Sequence, residues 1–403
     1  MKAYERLIKY VRINTMSDED NAASTPSTSC QHELAKLLEQ EMKELGMEGV
    51  YRDEHCYVYG HLPASPGYEE SPTIGLIAHI DTAPDFSGKN VKPRIVETYP
   101  GGNIELGHGR TITVEKFPDL KEHIGHDIIV TDGSTLLGAD DKAGIAEILT
   151  VCERLIRENI PHCAVSVCFC PDEEIGHGAE LLDLRRLGAD FAYTLDGDAV
   201  EELSYETFNA CSASWEIQGV NVHPGSAKDI MVNACLVAME INSLLPLDEI
   251  PGKTEGYQGF FHLTDMKGSC EKAELRYIIR DHDAGKFQAR QDLMRRIEKQ
   301  MNGKYGEGTV KLVIKQQYRN MAEVLEDKKD VVLRAGWALK KQGITPDIRP
   351  IRGGTDGSQL SFRGLPCPNL GTGGYGFHGP YEHISTEDMD TMVEVMLNLL
   401  GEK

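Results

Sequence analysis

Three apolar runs in this chain each stop at a short group of acids or histidines, and that repeated arrangement limits the fold more than any other feature. Thr73-Ile74-Gly75-Leu76-Ile77-Ala78 ends in His79-Ile80-Asp81. Val165-Ser166-Val167-Cys168-Phe169-Cys170 ends in Pro171-Asp172-Glu173-Glu174, and Phe191-Ala192-Tyr193-Thr194-Leu195 ends in Asp196-Gly197-Asp198. Runs this continuously apolar read as strands buried on both faces. Helical spacing over 144–157 and 178–187 separates them, and strand, helix, strand with apolar strands means a parallel sheet covered on both sides. Ligands of such sheets bind beyond the carboxyl ends of the strands, which is where all these polar groups fall.

Two further polar groups join them. Gly138-Ala139-Asp140-Asp141-Lys142-Ala143-Gly144 follows the apolar Ile128-Ile129-Val130 and opens into a helix with Ile145, Ile148, Val151 and Leu155. Acids at a helix start also cap it and complement its dipole, so this turn gains weight only from the company it keeps. Phe377-His378-Gly379-Pro380-Tyr381-Glu382-His383 precedes a closing helix at 386–400.

Elsewhere the pattern predicts a helix at 4–11, a capping box at Thr28 leading into a helix ended by Gly46, and a strand at 57–62. From about 208 the character changes. Strands at 212–217, 274–279 and 310–314 alternate with helices at 227–245 and 284–302, and a helix at 326–342 leads back. The expectation is an α/β protein: a mostly parallel-sheet catalytic domain of residues 1–207 and 321–403, with an inserted α+β (ferredoxin-like) domain at 208–320. A length of 403 residues already favours two domains.

Composition narrows the function. The formal net charge is −22 and basic residues are not clustered, which disfavours a nucleic-acid partner. No run reaches the roughly 18 apolar residues of a membrane span, and Met1-Lys2-Ala3-Tyr4-Glu5-Arg6 carries charge where a secretion signal carries apolar residues. The ten cysteines are scattered, and Cys168-Phe169-Cys170 lacks the spacing of a zinc knuckle. A cytoplasmic, reduced protein is expected.

If the strand ends converge, His79, Asp81, Asp140, Glu173, Glu174, Asp196 and His378 meet. Five carboxylates packed together repel unless a cation joins them. Imidazole and carboxylate together suit zinc, manganese or cobalt better than magnesium or calcium. Two such ions sharing one carboxylate would use most of these groups. Of Glu173 and Glu174, one could bind metal while its neighbour faces the attacking water as general base. Asp81 could hydrogen-bond the ring nitrogen of His79 that is not on the metal. Asp198 is a rival for Asp196, and His383 a weaker one for His378. His262 and His282 are read as ordinary polar side chains.

His79-Ile80-Asp81, Gly138-Ala139-Asp140-Asp141-Lys142, Pro171-Asp172-Glu173-Glu174-Ile175-Gly176, Leu195-Asp196-Gly197 and His378-Gly379-Pro380-Tyr381-Glu382 resemble, in order and spacing, the motifs of the M20 di-zinc metallopeptidases. Val222-His223-Pro224-Gly225-Ser226-Ala227-Lys228 and Thr254-Glu255-Gly256-Tyr257 resemble the tripeptide aminopeptidase branch of that family. The resemblance implies two divalent ions per subunit, zinc first and manganese or cobalt next. Asp140 would bridge them, His79 and Asp196 would complete one site, and Glu174 and His378 the other. Glu173 would be the general base, Asp81 the orienter of His79, and the Asp140–Asp141 peptide cis. The inserted domain would be a lid and dimerisation domain. Its His223 would reach the active site of the other copy in a homodimer and steady the oxyanion.

A peptide's C-terminal carboxylate calls for a cation, and Arg280 and Arg352 are the candidates, each equally readable as a surface ion-pair partner. Gly353-Gly354 and Gly371-Thr372-Gly373-Gly374 read as close backbone approaches beside the site. The expected reaction is release of the N-terminal residue from a tripeptide. A dipeptidase, carboxypeptidase or N-acyl-amino-acid deacylase would carry the same metal set with another pocket. A catalytically silent peptide-binding protein is the reading from a different class, and it has no use for Glu173.

Overall fold

A computed structural model describes residues 1–402. The chain divides into two compact units. The first takes Met1–Tyr205, Glu323–Arg349 and the described residues from Thr355 onward; the second takes Glu206–Ala322 and Pro350–Gly354.

The first unit is built on a seven-stranded sheet in the order Glu48–Arg52, Val58–Leu62, Val165–Cys170, Ile74–His79, Phe191–Gly197, Asn369–Gly371, Leu203–Ser204. The four strands from Val165–Cys170 to Asn369–Gly371 run parallel, Val58–Leu62 and Leu203–Ser204 beside them run the opposite way, and Glu48–Arg52 pairs antiparallel with Val58–Leu62, so the sheet is mixed. Every residue of Ile74–His79 and of Val165–Cys170 is buried.

The continuous apolar runs follow from two separate cores, one on each face. Leu76, Ala78, Val165, Val167, Phe169, Tyr193 and Leu195 pack against helices Ala3–Tyr10, Gln31–Leu45, Ala139–Arg157, Lys329–Lys341 and Thr386–Gly401. The intervening Ile77, Cys168, Cys170 and Ala192 point the other way, toward Tyr57, Tyr59, Leu182, Leu187 and Leu360. Successive side chains of a strand alternate between faces, so a strand with a core on both sides is apolar throughout.

The second unit has a four-stranded antiparallel sheet in the order Phe260–Gly268, Lys272–Asp281, Asn209–Gln218, Val310–Tyr318. Helices Ala234–Ser243 and Ala284–Tyr305 cover one face, burying Trp215, Ile217, Leu275, Tyr277, Ile279 and Met294. This β-α-β-β-α-β connection with the first strand central is the ferredoxin-like arrangement. Among the described residues no helix is long and apolar enough to cross a membrane.

Three local expectations fail and one strand was not expected, each for a tertiary reason. Of 178–187, only Leu184–Leu187 is an α-helix. Tyr57 Oη donates to Gly178 O at 2.9 Å, Asp183 N donates to Tyr59 Oη at 2.9 Å, and Arg363 takes Leu182 O at 2.7 Å, so these backbone groups serve remote partners. The Thr28 capping box does not form: Thr28 Oγ1 donates to Met16 O, and Gln31 donates to Asp172. The helix expected at 227–245 runs only over Ala234–Ser243, because Asn233 caps it by accepting the amides of Cys235 and Leu236. The strand Phe260–Gly268 escapes the pattern because only its first two residues are buried.

Candidate active site

The carboxyl ends of the parallel strands deliver the first side chains. His79 closes Ile74–His79, and its Nε2 lies 3.0 Å from Asp140 Oδ1 and 3.3 Å from Asp196 Oδ1. Asp196 stands near the end of Phe191–Gly197. Asp140 comes from the turn that opens helix Ala139–Arg157. Gly138 there has φ +82, a left-handed conformation natural to glycine, and Asp140 and Asp141 are non-helical with a cis peptide between them. Gly144 lets that helix approach the sheet, since a Cβ there would meet Leu195 O at 2.3 Å.

His378 faces Asp140 from the other side. Its Nε2 is 3.2 Å from Asp140 Oδ2 and 3.0 Å from Glu174 Oε2, while its Nδ1 is 3.4 Å from Asp85. The two oxygens of Asp140 therefore serve two groups, His79–Asp140–Asp196 and Asp140–Glu174–His378. Within each group one potential ligand atom per residue lies within 4.8 Å of the others.

The turn carrying Glu173 and Glu174 is held from both flanks. Asp172 has φ +57, and its buried carboxylate accepts Ser27 N, Ser27 Oγ and Gln31 Nε2, all at 2.6 Å. Asp81 accepts the amides of Glu173 at 3.0 Å and Glu174 at 3.2 Å, one through each oxygen. The contact of Asp81 with His79 differs from expectation. The closer partner of His79 Nδ1 is the main-chain oxygen of Asp81 at 3.0 Å, with the carboxylate at 3.4 Å. Its carboxylate clamps the glutamate turn instead.

The electrostatics show how crowded the site is. Burial raises Glu174 to about 8, with the Asp140 charge adding to it, and raises Asp196 to about 6 against the pull of His79. Glu173 is held well above the usual carboxylate range by burial, then by Asp196 and Asp356. Donating hydrogen bonds to Asp140 and Glu174 lifts His378 to about 11. Burial alone would lower His79, yet Asp196, Asp140 and Asp81 hold it well above its ordinary value. Glu174 Oε1 is buried with no hydrogen-bond partner among the described residues. Acids pushed up beside imidazoles pushed up form a donor set that a divalent cation fits, since it supplies the charge both groups otherwise take from protons.

Two residues of this site were not assigned a role by the sequence. Glu382 is buried and accepts the amides of Leu137, Gly138 and Asp140. It stood in the motif with His378, which was the available signal. Asp356 is buried, its Oδ1 lacks a hydrogen-bond partner among the described residues, and burial raises it to about 7. Gly178 leaves room for it, since a Cβ there would meet Asp356 at 2.2 Å. Nothing in its local pattern marked it. The rivals fall away: Asp198 and His383 belong to neither group, and His383 Nε2 instead meets Asp119 at 2.7 Å.

His223, Arg280 and Arg352 belong to the second unit. His223 is exposed, and its Nδ1 accepts the amide of Gly225 at 3.1 Å. Arg280 lies buried over the Tyr318 ring, with Nη1 donating to Cys211 O and Ile279 O. Arg352 donates through Nη1 and Nη2 to Gly256 O, Gln258 O, Thr254 O and Thr254 Oγ1.

Comparison with known proteins places these features in a lineage. The family model described as peptidase family M20/M25/M40 matches residues 131–402. A protein named peptidase T from Clostridium perfringens strain 13 is 53% identical over 400 residues, covering 99% of this chain and 98% of its own. The crystal structure of aminopeptidase PepT from Bacillus cereus superposes with a TM-score of 0.79 at 23% identity, covering 99% of this chain and 97% of that one. A dinuclear metal-binding peptidase of the M20 family from Bacillus subtilis superposes with a TM-score of 0.63 at 14% identity, covering 98% and 97%.

Proposed function

The chain belongs to peptidase family M20/M25/M40, and from that membership we propose that it is a metal-dependent aminopeptidase releasing the N-terminal residue from tripeptides. The observation that carries this reading is the placement of Asp140, one oxygen on His79 and the other toward His378. Two divalent ions fit that sharing. His79, Asp140 and Asp196 would hold one, and Asp140, Glu174 and His378 the other. Zinc is the ion best suited to these donors, with manganese or cobalt next. Bound ions supply Lewis acidity to the scissile carbonyl and to the attacking water.

Glu173 lies on the same turn as Glu174 but in neither donor group, which leaves its carboxylate for proton transfer. It takes the water's proton and returns it to the leaving amine. Asp81 holds that turn in place through both amides and orients His79 through its carbonyl. His223 is the oxyanion donor in this reading. Because its Nδ1 accepts a hydrogen bond, its ring proton sits on Nε2, leaving an N–H free to donate. In a homodimer this exposed group would complete the active site of the other copy.

Arg280 is the better partner for the peptide's C-terminal carboxylate. The terminal nitrogens of Arg352 already serve four acceptors around Thr254–Gln258, whereas among the described residues Arg280 donates through Nη1 alone. A cytoplasmic location is supported by ten cysteines that are all unpaired.

The test is the product pattern from one tripeptide of three distinct residues, with its N-acetylated copy as control. Release of the first residue alone, with the acetylated copy untouched, is the expected result. Release of the last residue or of acetate would move the chain to a sister activity. No cleavage by metal-loaded protein would overturn the enzyme reading.

A further inference from the structure

Away from the two groups around Asp140, the described residues of the first unit include a third group of three side chains able to share one ion. His123 and His126 follow the short 3-10 helix Pro118–Lys121, and Asp388 lies in the first turn of helix Thr386–Gly401. One potential ligand atom from each lies within 4.8 Å of the other two. His123 Nε2 is 2.8 Å from Asp388 Oδ2, and the two imidazole rings are 5.5 Å apart. The side chains of His123 and Asp388 are mostly buried, while that of His126 is 32% exposed, so the cluster is closed behind and open in front.

The groups behind these donors also have the form of a metal site. Asp119 Oδ2 faces the other nitrogen of His123 at 3.8 Å and is itself held by His383 at 2.7 Å. Ser385 Oγ meets His126 Nδ1 at 2.9 Å and accepts the amide of Asp388 at 3.2 Å. A carboxylate or hydroxyl behind an imidazole is how metal-binding histidines are oriented. Among the described residues the ion-pair partners of Asp119, Glu387 and Asp388 are histidines, with no lysine or arginine. Asp119, Glu387 and Asp388 thus gather with no fixed positive charge paired to them among the described residues.

We propose that His123, His126 and Asp388 form a third cation site, separate from the groups around Asp140, for a divalent ion of the zinc class. Two imidazoles and a carboxylate match zinc better than magnesium or calcium, and the open side at His126 leaves a position for solvent. The ion would tie the segment after Pro118–Lys121 to the start of the closing helix. Binding only the folded chain, it would raise stability with metal concentration.

The experiment counts zinc per chain in protein stripped with chelator, reloaded and passed through a desalting column. Wild type is compared with His126→Ala and Asp388→Asn. Each variant is expected to hold one ion fewer than wild type, to gain less in Tm on adding zinc, and to keep its peptide hydrolysis. The difference between matched chains is read, so the result does not depend on how many ions the Asp140 groups take. Equal zinc counts in all three chains would overturn the proposal. His126 is partly open to solvent, so its variant decides the matter even if Asp388→Asn folds poorly.

Discussion

Glu382 accepts the main-chain amide of Asp140 at 2.9 Å through one carboxylate oxygen, and the amides of Leu137 and Gly138, both at 2.7 Å, through the other. Glu382 lies four residues beyond His378, whose Nε2 faces Asp140 Oδ2. One short segment therefore supplies a donor beside Asp140 and also fixes the turn that presents Asp140. Hydrogen bonds to a buried carboxylate are strong ones, which makes this a rigid join between segments 242 residues apart.

Glu382→Gln keeps the shape but turns an amino group toward those amides. Retention of metal is expected to weaken by about tenfold to a hundredfold, the usual cost of disturbing groups behind metal ligands. Chelator competition measures it. Activity lost at limiting metal should return at excess. Unchanged metal retention would reduce Glu382 to a folding role.

Glu173→Gln should leave metal content at the wild-type level while hydrolysis falls by about 10²–10⁴-fold, the range for loss of a general base. Metal counting beside initial rates checks both. Loss of metal instead would mean that Glu173 and Glu174 have exchanged roles.

His223→Ala is expected to lower kcat by about 10²–10³-fold, the cost of one oxyanion donor, with metal content unchanged. Mixing this chain with Glu173→Gln chains tests whether the donor acts across a dimer. In a hybrid, one of the two sites would combine an intact Glu173 with an intact His223, and activity should reappear. Two inactive chains that stay inactive on exchange would place His223 in its own chain's site or outside catalysis.

Arg280→Ala should raise KM by about tenfold or more for a tripeptide, from loss of a charged hydrogen bond of about 1.5–3 kcal/mol. A tripeptide amidated at its C-terminus is the control, and there the two chains should differ little. Arg352→Lys should instead lower Tm, because it gives up contacts that brace Thr254–Gln258. The reverse pattern would exchange the two assignments.

Glu147 is fully buried in helix Ala139–Arg157, and neither of its oxygens has a hydrogen-bond partner among the described residues. Burial, then the charges of Asp141 and Asp388, hold its carboxyl well above the usual range. The folded chain thus keeps a proton that the unfolded chain releases first. The stabilising contribution is complete below the unfolded carboxyl value and is lost as pH rises through the folded one. Glu147→Gln is expected to gain about 1–3 kcal/mol at neutral pH and almost nothing in mild acid. Melting curves across that pH range read it, and a gain that is equal at all pH values would refute the assignment.

Much of the first unit was legible in the sequence because its cause is local. A strand with cores on both faces must be apolar at nearly every position, and Ile74–His79 and Val165–Cys170 are. Chain direction then puts whatever follows each strand on one edge, so the strand pattern alone places His79, Glu173, Glu174 and Asp196 together. Local patterns misled where polar groups serve distant partners, as Tyr57 and Tyr59 do for residues 178–183.

By itself, then, the sequence determined the α/β class, the sheet edge on which these side chains gather and the kinds of residue gathered there. Only the tertiary structure decided that Asp196 rather than Asp198 reaches His79, and that the carboxylate of Asp81 clamps the Glu173–Glu174 turn. It also brought Glu382, Asp356 and the His123–His126–Asp388 cluster to their places. These are relations between segments far apart along the chain, such as the 265 residues from His123 to Asp388. Periodicity and turn chemistry act over a few residues, whereas a distance across the fold is set by how helices and sheet pack against each other.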